Sequence, residues 1–176
     1  MSFKRDSRVG LVSWSFYDFA NTIFSAIVLT AYFPLTFTEK TQANWPLGAA
    51  TTGSMLAAGF VLPLLGALTD RTGKTKVYLI RTTLACISAL LALSVVKNPV
   101  SLIFFFTISC FFYHASLVFY NSLLPVIASP EKQGFASGLG TGLGYLGVVV
   151  SLPLAHWVDQ NLGRPFVFSV AGLLFF

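Results

Sequence analysis

The chain has 176 residues, 55% hydrophobic and only 10% charged, whereas a soluble domain carries about 25% charged residues. That composition, with 18 Phe, excludes an ordinary soluble domain and a disordered chain. The formal charge of +5 comes without basic and aromatic residues interleaved on a polar face, which excludes nucleic acid as the partner. A mean hydropathy of +0.76 points to the lipid bilayer instead.

Uncharged runs extend from Val9 to Thr38 (Asp18 apart), Thr41 to Thr69, Thr82 to Val96, Asn98 to Pro130 and Gln133 to Trp157. A hydrocarbon core of roughly 30 Å takes about 20 apolar residues per helix. The runs predict a single transmembrane domain over residues 1–176, with helices near 10–37, 47–68, 77–96, 100–128, 134–158 and 165–176. The fold class expected is all-α, because an open strand would leave backbone groups unpaired in lipid and no barrel-like alternation is present.

The first segment follows Lys4, Arg5 and Arg8. A signal peptide also starts this way, but this run is too long, holds Trp14, Asp18 and Asn21, and lacks a small-residue cleavage site. It reads as a retained span. Asp18 lies roughly 12 Å into it by helical rise, with Asn21, Thr22 and Ser25 three, four and seven residues on, so one face is polar. An ionisable residue inside a membrane faces a cavity or a partner. The residues leave three roles open: proton coupling through Asp18, direct contact with a polar solute, or a structural hydrogen bond near the membrane surface.

The second segment ends in Gly66, Ala67, Leu68, Thr69, Asp70, Arg71, Thr72, Gly73, Lys74, Thr75 and Lys76. Gly73 permits a tight turn, and the cations suit a cytoplasmic loop. An ordinary basic loop has the same features. Cys86 in the third segment and Cys110 in the fourth lie inside apolar runs and read as small buried hydrophobes, with no disulfide or metal spacing.

The fourth segment carries Thr107, Cys110, His114 and Asn121 near one face, with Tyr113 and Tyr120 beside them. His114 is either a proton carrier or a neutral imidazole bonded across helices. The fifth holds Gly138, Gly140, Gly142, Gly144 and Gly147, and the spacing of four between members is that of close helix packing. No strand precedes these glycines and no Lys-Ser/Thr follows, which argues against a phosphate loop. His156 and Asp159 read as a surface pair; two residues make no metal site. Pro63, Pro125 and Pro153 predict kinks.

The last segment, residues 165–176, measures about 18 Å. It falls short of a bilayer core, and the expectation is that a longer parent or a second chain completes it. Alternate loops hold eight and three of the Lys and Arg residues, which places the N-terminus in the cytoplasm. The expected location is a bacterial inner membrane rather than a vacuole.

The loop after the second segment resembles the helix 2–3 signature of the major facilitator superfamily, G-x-L-x-D-R-x-G-[RK]-[RK], departing at Thr75. The resemblance implies a cytoplasmic latch at Asp70 and Arg71, supported by Gly66, Gly73 and Lys74. A second resemblance covers nearly the whole chain. Tyr17, Asp18, Phe19, Ala20 and Asn21 match Y-D-[WF]-A-N, and residues 121–125 and 137–147 match N-x-x-L-P and S-G-x-G-x-x-x-G-Y-x-G. These are similar to the vacuole-effluxer-like branch, whose best-known eukaryotic members are implicated in releasing amino acids from the vacuole. The resemblance implies twelve helices in two halves, of which this chain matches the first, with the first and fourth helices lining the central cavity. Tyr17, Asp18, Asn21, His114 and Asn121 are then the candidate solute and proton pathway. Many members of the superfamily also carry an Arg in helix 4, which is missing here between Arg81 and Arg164.

No nucleophile elbow, zinc motif or nucleotide loop appears, so neither an enzyme nor a bound cofactor or metal is expected. The function expected is half of a secondary transporter for a small polar solute, with amino acids as a candidate class, working with a second half. The alternatives are a non-transporting membrane subunit or scaffold, and an inert truncated remnant.

Overall fold

The computed structural model describes residues 5–175, and of Leu68 and Asp70 the backbone alone. Lys4 and Phe176, which entered the charge count and the last predicted segment, lie outside the described residues. The described chain is a bundle of six helices without a strand. Five of them are long and apolar enough to cross a membrane: α1 (Arg8–Thr41), α2 (Trp45–Thr72), α3 (Thr75–Leu93), α4 (Pro99–Ile127) and α5 (Pro130–Asn161). The shorter α6 covers Arg164–Phe175.

Local chemistry sets the ends. Pro46, Pro99 and Pro130 occupy the first turns of α2, α4 and α5, where their missing N–H is not needed. The Asn98 side chain accepts from Val100 N–H at 2.8 Å to start α4. Gly73 ends α2 with φ +62°, its N–H donating to Thr69 O at 2.8 Å. Gly163, at φ +97°, turns the chain from α5 into α6. α5 extends past its expected limits at both ends, since Pro130 and Glu131 form its first turn rather than a loop.

α1 changes register midway. It is α-helical over Arg8–Phe24, π-helical over Ser25–Tyr32 and α-helical again over Phe33–Thr41. Thr30 Oγ1 donates five residues back to Ser25 O at 3.0 Å, and Phe33 N–H donates to Val28 O, the spacing of the wider turn. Pro34 follows directly, and its ring would collide with the carbonyl four residues back in an α-helix. The wider turn removes that conflict. α2, α4 and α5 run unbroken through Pro63, Pro125 and Pro153.

α1 packs on α5 and α6, while α4 packs on α2 and α3, and α3 meets α6. Exchanging α1 with α4, α2 with α5 and α3 with α6 reproduces the same neighbours, the pattern of an internal repeat. Lipid supplies no hydrophobic drive between helices, so close packing does the work. α5 accordingly buries Ala136, Gly140, Gly144, Gly147, Ser151, Ala155 and Val158, a stripe of mostly small residues at helical period. α2 buries Ala50, Ser54 and Ala58, one turn apart. Toward the end that bears the α5–α6 turn the interior is aromatic: Phe33 lies flat on Phe106 with centroids 3.7 Å apart and meets Phe168 edge-on.

Each end of the bundle has an ionic tie. Arg164 pairs with Asp159 at 3.3 Å and also with Glu39, joining the end of α1 to the α5–α6 turn. Asp159 therefore pairs with Arg164, not with His156 as the sequence suggested; the turn at Gly163 brings Arg164 back to it. At the opposite end Asp6 N–H donates to Ile127 O at 2.9 Å, and Asp6 Oδ1 accepts from Ser129 N–H at 2.9 Å. Lys132 lies 3.6 Å from the same carboxylate.

Candidate functional site

The second to fourth turns of α1 bring Trp14, Tyr17, Asp18 and Asn21 toward α4 and α5. The Trp14 indole N–H donates to Tyr120 O at 3.1 Å, and the two rings stack with centroids 4.2 Å apart. Tyr17 stacks on the same Tyr120 ring at 4.9 Å, and its hydroxyl shares a hydrogen bond with Thr83 Oγ1 of α3 at 2.8 Å. Tyr120 is thus held between two α1 aromatics. Such stacks contribute about 0.5–1.5 kcal/mol beyond burial.

Asp18 is partly buried where α1 approaches α5. That approach depends on glycine: a Cβ on Gly140 would lie 3.0 Å from Asp18 Oδ2 and 3.1 Å from Trp14 Cζ3. A Cβ on Gly144 would lie 2.5 Å from Thr22 Oγ1, and one on Gly147 would lie 3.0 Å from Phe19 O. Gly138 and Gly142 lie on another face, with nothing within 4 Å of a Cβ built there. The five glycines therefore divide into a packed set and an open set.

The Trp14 indole N–H and the Thr22 hydroxyl are committed away from the Asp18 carboxylate. Thr22 Oγ1 donates to the Asp18 backbone carbonyl at 2.8 Å, not to the carboxylate. Among the described residues the ion pairs are those of Asp6 and Arg164, and none includes Asp18. Asn21 is 4% exposed and Tyr120 3% exposed, yet Asn21 Oδ1 and the Tyr120 hydroxyl have no hydrogen-bond partner among the described residues. Native proteins leave few buried polar atoms unpaired.

His114 and Asn121 are placed differently. His114 is partly buried and Asn121 exposed, on a face of α4 shared with the partly buried Thr107. The Tyr113 ring meets His114 edge-on at 5.2 Å. The expected pathway residues thus form two groups: Tyr17, Asp18 and Asn21 inside the α1–α4–α5 junction, and His114 with Asn121 on the open side. The sequence reading left Trp14 and Thr83 out of the site. An indole amid apolar residues with no local acceptor is the one signal pointing to a partner for Trp14.

In the α2–α3 connection, Thr69 Oγ1 donates to Gly66 O at 2.7 Å, and Arg71 and Lys74 are exposed. The Asp70 side chain lies outside the described residues. Thr75, which stands where the resemblance has its second adjacent cation, opens α3. A cavity of about 840 Å³ opens beside this loop, with Thr75 and Lys76 at its rim and Tyr17, Thr83 and Tyr120 deeper in its wall. Among the described residues no three His, Cys, Asp or Glu come together as a metal group.

Five apolar spanning helices around an intramembrane polar junction define an integral, multi-pass membrane protein. It belongs to the Major Facilitator Superfamily, whose family profile matches residues 10–176. The chain is 30% identical over 168 residues to an uncharacterized protein of Aquifex aeolicus (strain VF5), covering 93% of this chain and 42% of that protein. It is 29% identical over 173 residues to the uncharacterized MFS-type transporter YxiO of Bacillus subtilis (strain 168), covering 92% of this chain and 37% of YxiO. The chain thus spans about two-fifths of the length of these relatives. No solved structure matches it.

Proposed function

We propose that this chain forms the N-terminal six-helix half of a secondary transporter that moves a small polar solute by rocking against a second half. The observation that carries the reading is Asp18: a carboxylate in a membrane-spanning helix, at the junction of α1, α4 and α5, outside every ion pair among the described residues. A charge so placed is costly and is retained where it works. Asp18 carries the coupling charge, Tyr17 and Asn21 position it, and His114 and Asn121 contact the solute from the open face of α4. Amino acids are the solute class suggested by the similarity to effluxers at residues 17–21, 121–125 and 137–147.

In this reading the N-terminus lies in the cytoplasm, supported by the excess of basic residues in alternate loops, and the bundle in a bacterial inner membrane, supported by the bacterial relatives. Asp70 and Arg71 latch the cytoplasmic side, with Gly66, Gly73 and Lys74 shaping that turn. The length of the relatives supports a second six-helix half, in the same polypeptide or a separate one.

The test is solute flux in proteoliposomes holding the transporter. Asp18→Asn abolishes accumulation driven by an ion gradient while leaving solute exchange intact. His114→Gln raises the solute KM and leaves gradient coupling in place. Wild-type coupling in Asp18→Asn would end the assignment.

A further inference from the structure

We propose that the cavity at the end of the bundle bearing the α5–α6 turn binds the phosphate of an anionic lipid, held by Lys40 and Lys97. This site goes beyond the transport reading and uses no residue of the α1–α4–α5 junction.

Positive charge is scarce at this end: it holds three Lys and Arg residues, Lys40, Lys97 and Arg164, against eight in the other loops. The three come from the end of α1, the α3–α4 connection and the α5–α6 turn, yet all of them line one cavity of about 340 Å³. Direct contacts draw these segments together. Lys40 Nζ donates to Lys97 O at 3.3 Å, and Arg164 pairs with Glu39, the residue before Lys40. Arg164 also pairs with Asp159 at 3.3 Å. Glu39 and Asp159 line the same cavity, so three positive charges meet two negative ones there, a sum of +1. Arg164 is spent on both carboxylates. The Lys40 and Lys97 side chains are exposed and pair with no carboxylate among the described residues. Behind the cations the wall is apolar, formed by the buried Leu93, Leu102 and Phe168. The flanks are apolar too. Val95 and Val100, on either side of Lys97, are 75% and 73% exposed, and Phe166, two residues after Arg164, is 54% exposed.

Each candidate occupant meets these groups differently. A free inorganic anion gains little, because ion pairs with exposed lysines are weak and screened by salt. An anion carried on a lipid is already concentrated at the membrane surface, so weak pairs suffice to hold it. A zwitterionic lipid brings an ammonium that finds both carboxylates already paired with Arg164. A phosphate diester with one negative charge cancels the sum of +1 and leaves its acyl chains to run along Val95, Val100 and Phe166.

The experiment mixes the purified full chain in detergent with equal amounts of phosphatidylglycerol and phosphatidylcholine of matched acyl chains. Native mass spectrometry reads the lipid retained. Wild type is expected to retain one phosphatidylglycerol saturably, with about a tenfold preference over phosphatidylcholine. Raising the salt on wild type should erase that preference without any substitution. Lys40→Gln combined with Lys97→Gln is expected to bring the two lipids to equal retention, and Lys40→Arg combined with Lys97→Arg to keep the preference. Lys132→Gln, beside Asp6 at the opposite end, should leave it unchanged. Equal retention of the two lipids by wild type overturns the proposal. So does a preference that survives both Gln substitutions, or one that Lys132→Gln removes equally. Displacement of phosphatidylglycerol by inorganic phosphate at the same concentration would assign the cavity to a free anion and overturn the lipid as its occupant.

Discussion

Single residues in this bundle are decided by how closely two backbones approach. Gly144 and Gly138 are six residues apart on one helix and equally glycine in sequence, but their surroundings differ. A Cβ at Gly144 meets Thr22 Oγ1 at 2.5 Å and Thr22 Cβ at 3.2 Å, whereas one at Gly138 meets nothing within 4 Å. The Thr22 Cβ is fixed to the α1 backbone and cannot swing away, so relief requires the helices to part. Gly144→Ala is expected to destabilise the bundle by about 1–3 kcal/mol, read as a lowered unfolding midpoint in detergent. Gly138→Ala should leave the midpoint unchanged or slightly raised, since Ala favours a helix over Gly by about 1 kcal/mol in the best-exposed cases. Equal midpoints for the two variants would contradict the packed and open assignment. The glycine spacing itself was legible in the sequence; which set meets α1 was not, because both sets repeat at helical period and only the neighbouring helix distinguishes them.

Helices are tied to one another at their ends, and Asp6 shows how. It reaches across to the α4–α5 connection, taking Ser129 N–H on its carboxylate and giving its own N–H to Ile127 O. The Ser129 N–H and then the charge of Lys132 hold its carboxyl below the ordinary value of 3.8. A carboxyl lowered on folding contributes stability that is complete above its unfolded value and fades as pH falls through its folded one. The tie should therefore be intact at neutral pH and released only in acid below 3.8. Asp6→Asn is expected to lower the hydrogen-exchange protection of the Ser129 amide at neutral pH and to remove its acid dependence. Protection identical to wild type at both pH values would show that the contact carries nothing. The existence and approximate limits of the long helices could be read from uncharged runs of bilayer length. The π-helical stretch Ser25–Tyr32 could not, because its cause is a register adjustment ahead of Pro34 and leaves the apolar pattern intact.

At the scale of the whole molecule the two ends of the bundle carry different charge, and this has a direct consequence for orientation. Lys74 stands in the exposed α2–α3 connection and Lys97 in the exposed α3–α4 connection. Cys86 and Cys110 are buried at 0% and 1% exposure, and so offer no competing thiol. With a membrane-impermeant maleimide on intact cells, Lys97→Cys should react and Lys74→Cys should not. Permeabilised cells should label both. Labelling of Lys74→Cys in intact cells would reverse the proposed topology. The same scale accounts for the internal repeat: α1 and α4 each sit between two neighbours, and exchanging the two three-helix sets preserves those neighbours. It leaves the outer faces of α2 and α5, with Phe60, Leu64, Tyr145 and Val149, uncovered within this bundle.

The sequence by itself determined the class: a 176-residue chain with few charges and long uncharged runs can fold only as helices threaded through lipid. It also singled out Asp18, because a carboxylate amid apolar residues stands out without any neighbour being known. The tertiary structure decided what surrounds that carboxylate. Gly140 of α5 approaches Asp18 and Trp14, and Tyr120 of α4 stacks on Trp14 and Tyr17, approaches between helices that no spacing along one helix encodes. It also separated Asp18 and Asn21, inside the junction, from His114 and Asn121, on the open face of α4. The side of a helix that becomes the inside is set by which neighbours pack on it: α1, α2 and α3 pack on α4, burying Tyr113 and Tyr120 and leaving His114 partly buried and Asn121 exposed.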